Sequence, residues 1–347
     1  MFINFIDFRK AFDSISRDAL WKVLIHYGIP EKLVKMMRLF YDGFSCSVTG
    51  NEKNEKDWFN VATGVRQGCN ISPLLFIIIL DYILKSSVKK SRCGLWWNLT
   101  AHMQYLAFAD DISLFSTNQQ GITNLTDSLA KSARKVGLIF NFQKTKVLKN
   151  LHAQVEQPVV CNSNELEYVD SFVYLGTRVD REGGAASDLM KRKAIASATY
   201  GRLGKLWQSR CLKTNIKLKI FNSNVMSVLL YGCETWKLNF GDSKPLKTFQ
   251  QRCLRRILGV RWQERITNQE VLRLARQDDV ARMAEQRRWR YLGHAMRRKG
   301  HPYVSLGWAP EGTRRRGRPK DTWRRVALKR LAAAGMKSWG GRRGGTR

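Results

Sequence analysis

The sequence predicts an α+β fold, in which an antiparallel sheet is covered by helices on one face and is followed by a mainly helical region. Up to about Asp180, short apolar runs typical of strands are mixed with longer runs of helical periodicity. Such mixing favours an antiparallel sheet packed against helices. Beyond Gly183 few strand signals remain and helical patterns dominate. The 347 residues are enough for two domains with sizeable cores.

The first elements are a strand and three helices. Residues 2–8 are mostly apolar, with Asp7 near the end of the run, and predict a buried strand. Ser16 is a suitable N-cap for the first helix, and Pro30 suits the first turn of the second. Ser72 and Pro73 suit the start of a third, apolar helix over 74–84, and the most apolar run, 71–80, which stops at Asp81, predicts that it is buried.

A hairpin is predicted around the pair Asp110-Asp111. Residues 105–109 and 112–116 are strand-like runs, and the two acids separate them at hairpin spacing. Downstream, a helix is predicted on 121–136, strands on 140–148 and 172–179, and helices on 189–206, 216–229, 246–258 and 269–292. From Gly312 onward the chain is rich in Gly and Arg, which predicts a loop and then a disordered tail.

The chain carries a large surplus of positive charge. It has 61 Lys and Arg against 28 Asp and Glu, a net charge of +33, and residues 241–347 alone hold 29 against 8. This surplus indicates a polyanionic partner, most simply nucleic acid. A solvated basic surface is the alternative that charge alone leaves open. A membrane partner is not expected, because no basic amphipathic helix with a clean apolar face stands out.

The cysteines and the apolar runs bear on the cellular compartment. Seven cysteines are odd in number and widely spread, with no Cys-x-x-Cys pair, which predicts reduced thiols in a nuclear or cytoplasmic protein. The N-terminal string MFINFIDFRKAFD carries acids early and is not typical of a signal peptide. The most apolar run, 71–80, is too short to span a membrane. We therefore expect neither secretion nor a transmembrane segment.

Asp110 and Asp111 are candidate metal ligands. Adjacent carboxylates repel each other, and a divalent cation removes that cost. Mg²⁺ prefers carboxylate oxygens and keeps waters or substrate phosphates as its other ligands. Asp7, at the end of another strand, could complete the cluster, and two ions held by such acids can activate a 3′-hydroxyl and stabilise a leaving pyrophosphate. A solvated Asp-Asp turn, with Asp7 as an ordinary strand-end acid, is the alternative.

Three strings stand in a recognisable order: FIDFRKAFD at 5–13, GVRQGCNISPLLF at 64–76 and FADD at 108–111. Through them the chain resembles the reverse transcriptases of non-LTR (LINE-type) retrotransposons. The string at 5–13 is similar to the first palm motif, which implies that Asp7 is a metal ligand. Phe12 stands where the family places an aromatic steric gate that favours deoxynucleotides, although a core Phe is the alternative.

The other two strings carry further implications of the resemblance. The string at 64–76 is similar to the next palm motif and implies that Gln67 and Gly68 lie against the incoming nucleotide and template. A glycine there permits close approach of the backbone to a ligand. The string at 108–111 resembles the signature hairpin, with Asp110 and Asp111 as metal ligands. The resemblance implies that the preceding residues, Phe108 and Ala109, contact the substrate.

Two later segments also match the family. The string GLIFNFQKTK at 137–146 resembles the motif that follows the hairpin, in which Lys144 is the candidate proton donor to pyrophosphate. Without the family, a surface lysine is the alternative. Tyr174, Leu175 and Gly176 resemble the primer-grip hairpin.

The second half resembles the region that follows the polymerase in such elements. The matching strings are YGCETW at 231–236, RCLRRILG at 252–259, RWRYLGH at 288–294 and GRPK at 317–320. We expect Trp236 and Trp289 to pack in the core. A basic cluster has no apolar role available and is predicted to contact phosphates; its members are Arg314, Arg315, Arg316, Arg318 and Lys320.

The resemblance implies a right-hand polymerase palm with partial fingers over 1–183, a helical thumb and C-terminal region over 184–300, and a basic Arg/Gly-rich, partly disordered tail over 301–347. It implies an RNA-directed DNA polymerase that uses two Mg²⁺ ions (or Mn²⁺), an RNA template, a DNA primer and dNTPs. Because the match begins at the first palm motif, we expect an N-terminally truncated chain that lacks the upstream fingers.

Two other functions remain as alternatives. A catalytically incompetent, nucleic-acid-binding remnant of a retrotransposon would keep only the basic regions in use. A two-metal nuclease would use similar acids, but it explains neither the Arg-Gln-Gly loop at 66–68 nor the primer-grip string.

Overall fold

The computed structural model describes residues 1–47, 58–88, 93–96, 102–150, 157–183, 185–237, 240–298, 301–307 and 323–333. The chain divides into two compact units. The first comprises Met1–Leu175 and Asp180–Glu182, and the second comprises Gly176–Val179 and Gly183–Arg347.

The first unit combines short strands with helices. Its strands are Phe2–Ile6 (β1), Ser45–Ser47 (β2), Trp58–Asn60 (β3), Leu95–Trp96 (β4), His102–Met103 (β5), Tyr105–Phe108 (β6), Asp111–Ser116 (β7), Lys146–Lys149 (β8), Val160–Cys161 (β9), Asn164–Glu165 (β10), Glu167–Val169 (β11) and Ser171–Tyr174 (β12). Its helices are Ala11–Ser14 (α1), Arg17–His26 (α2), Glu31–Leu39 (α3), Ser72–Val88 (α4) and Gln119–Arg134 (α5). Strand Thr177–Asp180 (β13) follows β12 and lies mostly in the second unit.

Five strands form the main sheet, in the order β11-β8-β1-β7-β6. All neighbouring pairs are antiparallel except β11 and β8. The central strand β1 pairs with β7 so that Ile6 lies opposite Ile112. The predicted α+β class with a largely antiparallel sheet is confirmed.

The alternation of side chains along β1 builds a core on each face of the sheet. Phe2 and Ile6 belong to the large core, to which helices α2, α4 and α5 contribute. Ile3 and Phe5 face the other way into a smaller cluster, where the ring of Phe5 stacks on Phe172 at 4.2 Å between centroids. Full burial of each such side chain contributes about 1.5–3 kcal/mol, so β1 is fixed from both sides.

One strand is shorter than the sequence predicts. The prediction covers residues 140–148, but only Lys146–Lys149 form a strand. The carbonyl of Asn141 accepts the backbone N–H groups of Lys144 and Thr145, at 3.1 and 2.8 Å. These hydrogen bonds close a turn. The sequence does not predict this turn, because the apolar residues around it are typical of a strand.

The second unit is mainly helical. Its α-helices are Ala186–Arg202 (α6), Gly204–Gln208 (α7), Thr214–Ile220 (α8), Ser227–Leu229 (α9), Phe240–Leu258 (α10), Asn268–Ala275 (α11), Val280–Arg298 (α12), His301–Gly307 (α13) and Trp323–Ala333 (α14). A π-helical segment spans Phe221–Met226, and 3₁₀ turns span Cys233–Thr235 and Trp262–Glu264. Trp236 is buried among these helices, as predicted from the sequence, and Trp289 packs partly buried against a smaller cluster formed by α12, α13 and α14.

The single helix predicted over 269–292 is wrong, because the chain breaks between α11 and α12. Arg276 takes a left-handed conformation, with φ of 49°. Gln250 of α10 holds the break: its Nε2 donates to the Asp278 carbonyl at 2.8 Å, and its Oε1 accepts the Val280 N–H at 2.9 Å. Because Gln250 is distant in sequence from the break, the local periodicity does not predict it.

Two further features concern the thiols and the membrane. All seven cysteines are free thiols. Among the described residues, no helix combines the length and the apolar character that crossing a bilayer requires.

Candidate active site

Asp7 and Asp111 lie at the ends of two adjacent strands of the main sheet. Asp7 directly follows β1 and Asp111 begins β7, and the neighbouring residues Ile6 and Ile112 are opposite each other in the register. In an antiparallel pair, residues at such matched positions lie within about 5.5 Å of each other at the backbone. The sheet itself therefore brings together two of the three predicted metal ligands.

The backbone of Asp7 is tied to the turn that precedes β8. Its N–H donates to Thr145 Oγ1 at 3.3 Å, and its carbonyl accepts the Asn141 N–H at 2.8 Å. The same turn carries Lys144, whose Nζ lies 4.0 Å from Asp7 Oδ2. Asp7 and Lys144, predicted from separate motifs, are thus neighbours.

One oxygen of Asp7 is left without a hydrogen bond. Oδ2 is buried, and among the described residues no donor lies within hydrogen-bonding distance of it. A buried carboxylate oxygen without a donor is costly. The distance to Lys144 is that of a long ion pair, too long for a hydrogen bond. The position fits a cation that this part of the chain does not itself supply.

Asp110 and Asp111 are displayed at an exposed turn. Ala109, which precedes them, has a φ of 50°, a left-handed conformation that turns the chain sharply from β6 into β7. Burial and the negative charges of Asp110 and Asp7 raise the pKa of the Asp111 carboxyl. The three carboxylates therefore lie close enough for their charges to interact.

The acids open onto a cleft of about 440 Å³ within the first unit. Asp7, Asp111 and Lys144 line it together with Phe172 and Tyr174. The Tyr174 hydroxyl donates to the Asp111 carbonyl at 3.4 Å. The first residue of the predicted primer grip therefore lies beside the acids, although 63 residues separate it from Asp111.

The loop after Gly64 packs against the turn that carries Phe12. A Cβ on Gly64 would lie 2.6 Å from the Phe12 carbonyl oxygen and from backbone atoms of Asp13, so only glycine allows this approach. The Val65 N–H donates to the Phe12 carbonyl at 2.7 Å. The ring of Phe12 is half-buried and stacks on Phe76 of α4, at 4.7 Å between centroids. Phe12 thus packs partly in the core, which agrees in part with the alternative prediction of a core Phe. The rest of its side chain is exposed.

Gln67 and Gly68 lie at the exposed end of this loop. Gln67 Nε2 donates to Asp13 Oδ1 at 3.0 Å. Gly68 has a φ of 81° and no heavy atom within 4 Å of the position that a Cβ would take, which leaves room for a ligand. The string at 64–76 is therefore linked to the string at 5–13 through Asp13, a residue for which the sequence alone predicts no direct role.

The remaining predicted residues are more scattered. Phe108 is exposed at the end of β6. Leu175 and Gly176 form a tight turn with φ of 47° and 78°. Positive φ at both central residues is typical of a two-residue hairpin turn. The basic cluster at 314–320 lies outside the described residues, so its phosphate contacts stay a prediction.

A buried acid in the second unit supports the segment that begins with Gly176. Asp188 Oδ1 accepts the Arg178 N–H at 2.9 Å, and its Oδ2 accepts Trp236 Nε1 at 2.9 Å. Arg192 lies one helical turn further on, with its Nε 3.9 Å from Asp188, and it donates to the Gly176 carbonyl. Its guanidinium also lies over the ring of Tyr231, 4.3 Å from the centroid.

This network was missed by sequence reasoning. Its hydrogen-bonded partners are 10 to 48 residues apart, and an acid one turn before an arginine on a helix is normally interpreted as a surface pair. The one available signal was the Tyr-Gly-Cys-Glu-Thr-Trp string, both ends of which contribute to the network.

Within the described residues, no three His, Cys, Asp or Glu side chains converge closely enough to enclose a metal ion by themselves. The three acids are thus neighbours, but they do not form a closed coordination shell. This is compatible with Mg²⁺, which usually takes one or two carboxylates and completes its shell with waters and substrate phosphates.

Comparison with known families gives two matches. The family described as "Reverse transcriptase (RNA-dependent DNA polymerase)" matches residues 2–179, about half of the chain. A domain of unknown function matches residues 200–231. The first match contains the acids, the cleft and the loop after Gly64.

Several curated proteins are similar to this chain. A transposon-derived protein of Caenorhabditis elegans is 28% identical over 228 residues, which cover 63% of this chain and 81% of the relative. The retrovirus-related Pol polyprotein from the type-2 retrotransposable element R2DM of Drosophila melanogaster is 32% identical over 143 residues, 41% of this chain and 13% of the polyprotein. The corresponding protein from the type-1 element R2 of Popillia japonica is 24% identical over 262 residues, 73% and 41% of the two chains.

The chain thus spans less than half the length of each of these two Pol polyproteins. Among solved structures, apo telomerase from Candida tropicalis aligns over 74% of this chain and 46% of its own, at 13% identity and a TM-score of 0.41.

Proposed function

The chain belongs to the reverse transcriptase (RNA-dependent DNA polymerase) family, and we propose that it carries the nucleotidyl-transfer site of a non-LTR retrotransposon polymerase. The observation that carries this proposal is the position of Asp7 and Asp111 at matched ends of adjacent strands, both facing one cleft. In our proposal the chain extends a DNA primer by copying an RNA template with dNTPs.

The donor set fits a hard divalent cation. Asp7 Oδ2 is buried without a hydrogen bond, and burial together with the negative charges of Asp110 and Asp7 raises the pKa of the Asp111 carboxyl. Carboxylate oxygens suit Mg²⁺, and Mn²⁺ accepts the same ligands. We assign Asp7, Asp110 and Asp111 as the residues that would hold the ions. When bound, two such ions activate the primer 3′-hydroxyl and stabilise the leaving pyrophosphate.

The chain's own residues have separate tasks in this proposal. Lys144 is 4.0 Å from Asp7 and exposed enough to meet the triphosphate, so we assign it as the proton donor to pyrophosphate. The exposed part of Phe12 crowds the ribose 2′ position. Gln67, oriented by Asp13, and the open space at Gly68 receive the nucleotide and the template base. This division of labour rests mainly on positioning, as nucleotidyl transfer requires.

Three more groups complete the proposed site. The exposed Phe108 and the adjacent Ala109 turn contact the substrate beside the acids. The hairpin of Tyr174, Leu175 and Gly176 holds the primer end. The hydrogen bond from the Tyr174 hydroxyl to the Asp111 carbonyl supports this assignment, because it sets the start of that hairpin next to an acid of the site.

Primer extension on poly(rA)/oligo(dT) with Mg²⁺ tests the proposal. We expect the chain to extend the primer and Asp110→Asn to lower the rate by at least about 100-fold, as the removal of a preorganised electrostatic group does. Asp170→Asn is the matched control, because Asp170 is an exposed acid that is paired with Arg181 and does not line the cleft. A chain that binds the primer–template but does not extend it would overturn the polymerase assignment. Equal activity of Asp110→Asn would overturn the assigned site.

A further inference from the structure

Trp262 is the most exposed large apolar side chain among the described residues. It is 85% exposed and sits in the 3₁₀ turn between α10 and α11 of the second unit. An indole gains far more from burial or stacking than most side chains. A solvent-facing indole on a hydrogen-bonded turn therefore indicates a partner.

The turn that presents Trp262 is held by its own hydrogen bonds. Glu264 Oε1 accepts the Arg261 N–H at 3.3 Å, and the Glu264 N–H donates to the Arg261 carbonyl at 3.2 Å. Below it, Arg255 of α10 donates to the Ile266 carbonyl at 2.7 Å. Trp262 is thus exposed on a turn whose backbone is held by hydrogen bonds before any ligand binds.

The surroundings of Trp262 carry positive charge that is not balanced. Residues 251–276 contain seven arginines and two glutamates, with no lysine or aspartate. Both glutamates are already engaged: Glu264 closes the turn, and Glu270 pairs with Arg273 at 2.6 Å. Arg261 and Arg265, which precede and follow Trp262 in the sequence, are exposed, and in the described part of the chain neither forms an ion pair. This charge complements a polyanion.

We infer that Trp262, Arg261 and Arg265 form a binding site for an unpaired nucleotide of a single-stranded nucleic acid. The base stacks on the indole, and the phosphates on either side contact the two guanidinium groups. Trp and Arg are also frequent at protein–protein interfaces. The unopposed positive charge favours nucleic acid over a protein surface of mixed charge.

The site rests on the nucleic-acid binding that the proposed function requires, and it does not depend on nucleotidyl transfer. It is therefore tested by binding alone, on the full chain carrying Asp110→Asn and without dNTPs. The probes are a fluorescein-labelled 20-nucleotide single-stranded RNA, the same sequence as single-stranded DNA, and the corresponding duplex. Affinity is measured by fluorescence anisotropy over a series of salt concentrations.

Trp262→Ala should weaken binding of the single strands by about 5- to 150-fold, the loss that one stacked base gives. The salt dependence should not change, because no charge is lost. Arg265→Ala should instead lower the slope of log K against log salt by about 0.7, the value for one phosphate contact on a single strand. Trp262→Phe, which keeps a ring, should retain most of the affinity, and duplex binding should be unaffected by Trp262→Ala.

Trp58→Ala is the matched control. Trp58 is 66% exposed in the first unit and directly follows residues 51–57, which hold three acids and two lysines. The site is supported if Trp262→Ala lowers the affinity for the single strand and Trp58→Ala does not. Whether the loss occurs with RNA, with DNA or with both identifies the kind of strand that the site binds. A change of less than twofold overturns the site, as does an equal loss on the duplex or in the Trp58 control. Single-strand binding without primer extension would leave the site standing while the polymerase assignment fails.

Discussion

Replacement of Asp188 by alanine tests whether the second unit depends on its buried network. Asp188 and Arg192 are 2% and 9% exposed at their side chains, so water does not compensate for a lost partner. Asp188→Ala leaves the Arg178 N–H and the Trp236 indole N–H without their acceptor. It also removes the carboxylate beside the Arg192 guanidinium, which keeps its contacts with the Gly176 carbonyl and the Tyr231 ring.

The magnitude follows from the burial of this pair. Removal of one partner of a buried ion pair costs about 3–5 kcal/mol, because the other charge stays buried without compensation. Folded domains are stable by only about 5–15 kcal/mol. For a unit of this size, such a loss lowers the melting temperature by roughly 10 °C.

Calorimetry of the full chain measures each effect as a shift in the transition of the unit that carries the replacement. Asp170→Ala is the control, because Asp170 pairs with Arg181 at a shorter distance, 2.8 Å, but with a side chain that is 81% exposed. Exposed pairs contribute about 0–1 kcal/mol, so the closer pair should matter less. If Asp188→Ala costs no more than Asp170→Ala, the network is not a stabilising element and our reasoning from burial is wrong.

Two further predictions concern the first unit. Gly64→Ala should lower the free energy of unfolding by about 1–3 kcal/mol more than Gly68→Ala; both glycines have positive φ, but only at Gly64 would a Cβ meet backbone atoms at 2.6 Å. Urea denaturation of the two variants measures the difference, and equal losses would contradict it. Asp110→Asn should lower the pKa of the Asp111 carboxyl toward its ordinary value of 3.8, since it removes one of the charges that raise it. A raised pKa means that the folded state favours the protonated carboxyl, so the contribution of Asp111 to stability falls as pH rises from 3.8 through the raised pKa. Carboxyl NMR titration would show a smaller pKa shift of Asp111 in the variant. An unchanged pKa would count against the proximity of the two acids.

The acids of the site could be predicted from the sequence because their positions depend on local structure. Asp7 ends one apolar run, and Asp110 and Asp111 separate two further apolar runs. Short local patterns of this kind predict strand ends and hairpin turns. The pairing of β1 with β7 was not predicted, but the resemblance of both strings to palm motifs implied that their acids share one metal site. Lys144 and Tyr174 also reached the same cleft as the acids, although their roles stay predictions.

What the sequence did not predict depends on contacts between distant residues. Gln67 and Asp13 are 54 residues apart, and Gln250 contacts Asp278 and Val280 across 28 to 30 residues. No local periodicity records such a hydrogen bond. Polar side chains also gave a misleading local signal, because an acid or glutamine on a helix is normally interpreted as a solvated residue when its partner is unknown.

The charge balance of the chain strengthens the case for a cation at the acids. Basic residues outnumber acidic ones 61 to 28, so arginines and lysines are available to form ion pairs with the acids of this protein. Yet in the described ranges neither Asp110 nor Asp111 forms an ion pair, and the one cation near Asp7 is at 4.0 Å. Some acids elsewhere form close ion pairs, as Asp81 does with Lys85 and Glu270 does with Arg273. Two acids without an ion pair and a third with a long one to Lys144 support our proposal that the counter-charge arrives with the substrate, as Mg²⁺ bound to a triphosphate does.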